Sequence, residues 1–380
     1  MSIMIDNSDN IGIYIHVPFC LSKCRYCDFY SLTGAGDTLL DAYADAVCAD
    51  LETWRGRFDA SADTIYFGGG TPSLLGAVRI SRIIQCAARL FNISMDSAEI
   101  TLEANPDTVT PKAAAGLMSG GVNRLSLGMQ SSDRHELELL GRRHTPDSVK
   151  RAVEAAVNAG FDNVSVDIML GIMGQSLESA VQTVDFAVSL GVSHISAYML
   201  KVEEGTPLYR DRAKYDIPGE DEVCDIYLAV CARLEKSGFS QYEISNFSRP
   251  GAECRHNLKY WRLTPYIGIG PSAHSYIGKE RLYYPRSLEG FLKDGHKALK
   301  YEEKSAGDIE EYVMLRLRLC EGLDMSEVAE IYGEREAESI YVRAKRLSEN
   351  GLVSISGSRL QLDREGFLIS NSIIAYLLYD

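Results

Sequence analysis

Three cysteines fall within eight residues, Cys20-Leu21-Ser22-Lys23-Cys24-Arg25-Tyr26-Cys27. This spacing constrains the chain more than any other feature, because a tightly wound loop that carries it can aim three thiolates at one point. Three thiolates leave one iron of a [4Fe–4S] cube without a protein ligand, whereas a structural zinc site wants a fourth Cys or His close by. The open iron calls for a second ligand that is not protein. Three small buried cysteines or a zinc knuckle is the competing reading, and the surrounding motifs decide between them.

The rest of the chain suits a protein of a reducing compartment. Its 380 residues, 46% hydrophobic and 24% charged, suffice for one large domain and a smaller one. We find neither a signal peptide nor a membrane-spanning stretch: the apolar run Ile11 to Val17 is strand-length and contains His16. Nine cysteines without an export signal predict a cytoplasmic protein whose thiols stay free for metal. Cys48, Cys86, Cys224, Cys231 and Cys320 fall in helix-like patterns and read as small core residues. A net charge of −14 argues against broad nucleic-acid binding, which needs a concentrated basic face.

Strand and helix signals alternate through the first two-thirds of the chain. Short apolar runs at Ile11–Val17, Asp63–Phe67, Ala98–Ala104, Asn123–Leu127, Asn163–Ile168 and His194–Leu200 are separated by helix-length segments, the pattern of βα units and a parallel sheet. Thr145 and Pro146 predict a helix start, Val149, Ala152, Val153, Ala156 and Val157 share one face, and Gly160 closes it. Six such units give an α/β fold, a partial (β/α)6 TIM-like barrel over residues 1–237. Ligands in such folds bind at the carboxyl ends of the strands. A segment rich in His, Arg and aromatic residues follows over 238–300. Residues 301–380 predict helices and then a hairpin about Gly357-Ser358, a winged-helix-like domain. Acidic Glu336, Glu338, Glu349 and Asp363 weaken a DNA-reading role for it, so docking or structure is the better expectation.

The CxxxCxxC run resembles the signature of the radical S-adenosylmethionine (SAM) superfamily. Its flanks, Tyr14-Ile15-His16-Val17-Pro18-Phe19 and Asp28-Phe29-Tyr30-Ser31, are similar to the HemN/HemW branch. The resemblance implies a [4Fe–4S] cluster on Cys20, Cys24 and Cys27, with SAM on its open iron. It carries over further residues by motif: Gly69, Gly70 and Thr71 of Gly68-Gly69-Gly70-Thr71-Pro72, where glycines permit close backbone approach and offer bare N–H groups; Glu103 of Leu102-Glu103-Ala104-Asn105-Pro106; and Gln130 with Arg142, whose fork suits the SAM carboxylate. Asp167 is implied for ribose, Lys201 for adenine, and Tyr14 and Tyr26 for packing on SAM. Arg25 stands inside the loop, where its charge would tune the cluster. The chain departs from the family's GLPGQ by reading Gly171-Ile172-Met173-Gly174-Gln175.

Within that branch, Glu243-Ile244-Ser245-Asn246-Phe247, Glu253-Cys254-Arg255-His256-Asn257-Leu258-Lys259-Tyr260-Trp261 and Gly268-Ile269-Gly270-Pro271-Ser272-Ala273-His274 resemble segments of the HemW-type haem chaperones. Phe29 stands where the HemN-type oxidases carry one more Cys, and only thirteen residues precede Tyr14, where the oxidases have a longer arm. Haem is therefore the expected cargo, to be passed to an acceptor apoprotein; a membrane-associated acceptor is compatible with this. His256, among cationic and aromatic neighbours, is the first candidate iron ligand, with His274 and Cys254 as alternatives; without haem the segment would be a lid over the barrel mouth. Two other functions compete: an oxygen-independent coproporphyrinogen III dehydrogenase, which removes propionate carboxyls with SAM, and a winged-helix regulator that senses through the cluster.

Overall fold

The computed structural model describes residues 10–379; the expected domain start at residues 1–9, most of the stretch before Tyr14, lies outside the described residues. Six parallel strands form its spine: β1 (Ile11–Val17), β2 (Ala62–Gly69), β3 (Glu99–Ala104), β4 (Arg124–Gln130), β5 (Asn163–Leu170) and β6 (His194–Met199). Each pairs with the next in chain order. Apolar side chains such as Ile13, Ile65, Ile100, Leu125, Val166 and Ile195 are fully buried, which is why these runs are strands covered on both sides. The structure carries β4 and β5 past the predicted ends at Leu127 and Ile168, to Gln130 and Leu170.

Helices return the chain between strands, and their ends follow from capping chemistry. The Thr145 side chain accepts the Ser148 amide and Ser148 reciprocates, with Pro146 in the first turn of the helix Pro146–Asn158. Gly160 takes the left-handed conformation, φ 100°, that lets the chain leave it. Ser176 caps the helix Leu177–Ser189 in the same way.

The segment after residue 237 builds on both edges of the sheet. β7 (Ser240–Glu243) and β8 (Asn246–Ser248) extend it antiparallel beyond β6, whereas β9 (Tyr266–Ile269) runs parallel to β1 and leads outward to β10 (His274–Ile277), β11 (Glu280–Tyr283) and β12 (Lys300–Glu303). The order is β12-β11-β10-β9-β1-β2-β3-β4-β5-β6-β8-β7, an open sheet that curves as a partial barrel.

Between these two additions the chain crosses the amino-terminal end of the strands as a short helix, Arg255–Trp261. Glu99, at the start of β3, accepts the first amides of that helix, Arg255 N at 2.9 Å and His256 N at 3.0 Å, so a carboxylate meets the positive end of the helix. Gly12 leaves room beneath it, since a Cβ there would stand 3.0 Å from the His256 ring.

The C-terminal part has its own core, including Val313, Leu317, Val328, Ile340, Leu360 and Leu377. Helices Ile309–Arg316, Met325–Tyr332 and Glu334–Glu349 precede β14 (Ser354–Ser356) and β15 (Arg359–Gln361), and β13 (Leu323–Asp324) pairs with β15. This is the winged-helix-like arrangement that the sequence predicts. It covers one open sheet edge: Cys320 N donates to Tyr242 O and Ile244 N to Arg318 O, both at 3.0 Å, so backbone that would invite another strand is satisfied internally. Among the described residues no helix is long and apolar enough to cross a membrane.

Candidate cluster and cofactor site

A cavity of about 520 Å³ opens at the carboxyl ends of the six strands. Cys20, Cys24, Cys27, Tyr26, Gly69, Gly70, Thr71, Glu103, Gln130, Arg142, Asp167 and Lys201 all line it. Residues spread over 182 positions of sequence meet because each ends a strand or follows one. Tyr14 and His256 are not among the lining residues.

The cysteine loop is held from outside. Arg25 N donates to Leu140 O at 3.1 Å and Arg25 O accepts Leu208 N at 2.8 Å. The Arg25 guanidinium turns to Leu139 O (3.3 Å) and Tyr215 Oη (3.0 Å). It is an anchor of the loop, not the charge beside the sulfurs that its position suggests. Inside the cavity two donors reach sulfur: Thr71 Oγ1 stands 3.6 Å from Cys20 Sγ and Arg142 Nη1 3.5 Å from Cys24 Sγ. Hydrogen bonds of this kind stabilise metal-bound thiolates and set cluster potentials. All three thiols are free of disulfides and only half-buried. Among the described residues no three His, Cys, Asp or Glu side chains are drawn around one point as a single ion would require. Burial pushes the Cys27 thiol above its usual range, so its ionisation depends on a metal that stabilises the thiolate.

The glycine run has a different role from the expected one. Gly69 N donates to Glu103 Oε2 at 3.1 Å, Gly70 N to Val17 O at 2.8 Å and Thr71 N to Phe19 O at 2.7 Å. These amides are committed within the protein, so the run supplies closeness of approach rather than bare donors. A Cβ at Gly70 would lie 2.6 Å from Phe19 O; only glycine lets β2 hold the strand end that starts the cysteine loop.

Arg142 ties two loops to strand β4. Besides Cys24, it donates to Asn105 Oδ1 at 2.9 Å and to Gly128 O. A Cβ at Gly128 would stand 2.8 Å from Arg142 Nη2 and 3.0 Å from Gln130 Nε2, so that glycine makes room for both. Gln130 lies at φ 66° beyond an irregularity in the β4–β5 register, a conformation that non-glycine residues adopt at a cost and that clusters at functional sites. Glu103, held by Tyr66 Oη at 2.8 Å, has its carboxyl pushed up to about 7 by burial and by Asp167. Burial also raises Asp167, against the hydrogen bonds of Ser196 and Ser126, the latter at 3.0 Å. Lys201 sits on the exposed rim, 2.7 Å from Glu203. Asn105, Tyr66, Ser126, Ser196, Tyr198 and Asn257 also line the cavity and were not singled out from the sequence. Strand alternation is the signal that finds several of them: Arg124, Ser126, Gly128 and Gln130 on β4, like Ser196 and Tyr198 on β6, are polar or small at every second position.

Comparison with known proteins identifies the family. The Radical SAM superfamily profile matches residues 14–187, and the HemN C-terminal domain profile matches residues 307–369. A haem chaperone HemW from Mycobacterium tuberculosis is 38% identical over 97% of this chain and 94% of its own length. Those of Bacillus subtilis and Escherichia coli are each 33% identical, over 96% and 97% of this chain and 98% of their own lengths. The chain belongs to the HemW family. Its fold is also that of the coproporphyrinogen III oxidase HemN from Escherichia coli, with a TM-score of 0.82 at 22% identity over 97% of this chain and 90% of that one. Membership in the radical SAM superfamily implies a [4Fe–4S] cluster and SAM, and the free thiols with their Thr71 and Arg142 donors fit such a cluster.

The HemW-type segment around His256 lies at the opposite end of the barrel from the cysteine loop. His256 is fully buried, with Nδ1 2.8 Å from Thr64 Oγ1 and Nε2 2.8 Å from Tyr260 Oη. Its ring stacks on Tyr66, centroids 5.2 Å apart, and lies 6.5 Å from that of Tyr14. Both nitrogens are engaged and the face is closed, so His256 does not meet the expectation of an available iron ligand. Cys254, also fully buried, faces Glu99 at 3.6 Å. These residues form the floor, and Tyr14 belongs to the same layer, below Gly68, whose added Cβ would lie 3.0 Å from the Tyr14 ring.

Burial lowers the His256 pKa from 6.5 to about 3. Below about pH 6.5 the unfolded chain binds a proton there that the folded chain refuses, so this residue's contribution to stability is intact above that pH and declines as pH falls. His256→Gln removes the difference. Between about pH 7.5 and 5.5 the wild type should lose about 1.4 kcal/mol more unfolding free energy than the variant, measured by urea unfolding of the metal-free protein at the two pH values.

Proposed function

We propose that the chain is a haem chaperone: it holds a [4Fe–4S] cluster on Cys20, Cys24 and Cys27, binds SAM in the cavity above it, takes up haem and passes it to an acceptor apoprotein. The convergence of three free thiols, the Arg142 fork and the Glu103 and Asp167 carboxylates on one cavity, in a chain alignable from end to end with proteins named as haem chaperones, carries this reading. When bound, the cluster offers an open iron that chelates the amino and carboxylate groups of SAM.

The chain's own residues account for the rest of that pocket. Arg142, fixed by Asn105 and the Gly128 carbonyl, presents a preformed cation to the SAM carboxylate at low entropic cost. Glu103, already held by Tyr66 Oη and the Gly69 amide, and Asp167, held by Ser126, are acceptors for the amine and ribose hydroxyls. A cationic ligand lowers the elevated carboxyl pKa of Glu103, so binding favours its ionised form. Tyr26 packs with Leu140, Met169 and Leu208, an apolar wall for adenine, and Lys201 closes the rim.

The oxidase reading shares this machinery and differs at the loop exit. Phe29 is 64% exposed there, an apolar surface in place of a further thiol, which favours cargo binding over added redox chemistry. Anaerobic reconstitution followed by parallel assays decides between the two: the chain should bind haem, seen as a Soret band that survives desalting, and should not decarboxylate coproporphyrinogen III. Sustained conversion of coproporphyrinogen would give the case to the oxidase. Cys24→Ala should abolish both the broad visible absorbance and the near-four-iron content after reconstitution, whereas Cys86→Ala should leave them intact. Arg142→Ala should weaken SAM binding by about 2–5 kcal/mol, the cost of leaving a buried charge without its partner, as read by anaerobic calorimetry; unchanged affinity would make the arginine a structural brace.

A further inference from the structure

Haem needs an accessible ligand for its iron, and the chain has seven histidines. His16, His144, His194 and His256 are buried. His296 is tied to Asp50, Tyr284 and Arg57, and His135 lies on the exposed first turn of the helix Arg134–Leu140. His274 lines a groove of about 380 Å³ whose walls include Asp28, Phe29, Tyr283, Arg286 and Glu302.

The chemistry of that recess is specific. The His274 side chain is 47% exposed and its Nδ1 lies 3.1 Å from Glu302 Oε2. Among the described residues Nε2 has no hydrogen-bond partner. A carboxylate on one imidazole nitrogen fixes the tautomer and raises the basicity of the other, the arrangement found behind metal-binding histidines. Tyr283 stacks on the ring, centroids 5.7 Å apart at 23°, and holds its plane. Phe29 adds an apolar surface, and Arg286, bound to the carbonyl and carboxylate of Asp28, brings a guanidinium suited to carboxylates.

Resting on the haem reading above, we infer that this groove is the haem site: His274 Nε2 ligates the iron, Phe29 packs on the porphyrin and Arg286 pairs with a propionate. Asp28 and Phe29 line the cluster cavity as well, so bound haem abuts the exit of the cysteine loop, where the state of cluster and SAM can be felt. A recess of this size lies at the low end of small-molecule pockets and covers part of a porphyrin, which leaves the remainder for an acceptor to grasp.

The test is a titration of the reconstituted, cluster-bearing chain with ferric haem, followed by the Soret band and by retention on desalting. His274→Gly should shift the Soret band and weaken binding by at least about tenfold, and added imidazole should restore the wild-type spectrum. Glu302→Gln should weaken binding by about tenfold through the ligand's basicity. Iron content and SAM affinity should not change in either variant. Wild-type spectrum and affinity in His274→Gly would overturn the assignment of this groove while leaving haem binding standing. Failure of the wild-type chain to bind haem would overturn the haem reading itself, and this site with it.

Discussion

Arg142 is the interaction on which the candidate site depends. Its guanidinium joins Cys24 of the loop after β1, Asn105 after β3 and the carbonyl of Gly128 within β4. These segments have no local reason to meet, and burial of a cation is tolerable only when its donors are used. Two unusual backbone features accompany this geometry. Gly128 must lack a side chain to leave room for the guanidinium and the Gln130 amide, and Gln130 itself takes a positive φ just beyond it. The cysteine loop is thus braced on its inner side by Arg142 and on its outer side by the backbone of Leu140 and Leu208.

Charge inside the cavity is set by two buried acids, Glu103, pushed up to about 7, and Asp167, raised above the usual carboxylate range. Both are raised by burial, and the Asp167 carboxylate raises Glu103 further through a low-dielectric space. Two ionised carboxylates in such a space repel, which makes an empty pocket favour protonation and a cationic ligand favour charge. A sulfonium with an ammonium group, as SAM carries, suits that imbalance. The preorganised residues around it, Tyr66, Ser126 and the Gly69 amide, are already hydrogen-bonded to the acids, so little ordering is left for binding.

The floor of the barrel shows how a chemistry-rich motif can be architectural. Glu99 caps the helix Arg255–Trp261 and draws in the amides of Arg255 and His256, while Lys259 reaches Asp63 at 2.8 Å and the Asn10 carbonyl at 2.7 Å. The histidine, the cations and the aromatic residues of this segment are spent on one another and on the strand starts. Asn257 alone of them lines the cavity. In contrast, His274 leaves one nitrogen open beside the cysteine loop, although its sequence neighbours offer fewer cations than those of His256.

The sequence by itself determined the six strands, the capped helices, the C-terminal hairpin and the candidate cluster cysteines. Each of these is encoded locally: apolar period, Ser, Thr and Pro at helix starts, and three thiols within one short loop. Motif resemblance extended that reading to Glu103, Gln130, Arg142 and Asp167. What only the tertiary structure decided is which groups are free. Whether a glycine amide, an imidazole nitrogen or the Arg25 guanidinium meets a ligand or another part of the chain depends on partners far away in sequence, such as Glu103 for Gly69, Thr64 for His256 and Tyr215 for Arg25. Residue type and spacing state what a side chain can do; burial and long-range hydrogen bonding decide whether it remains available to do it.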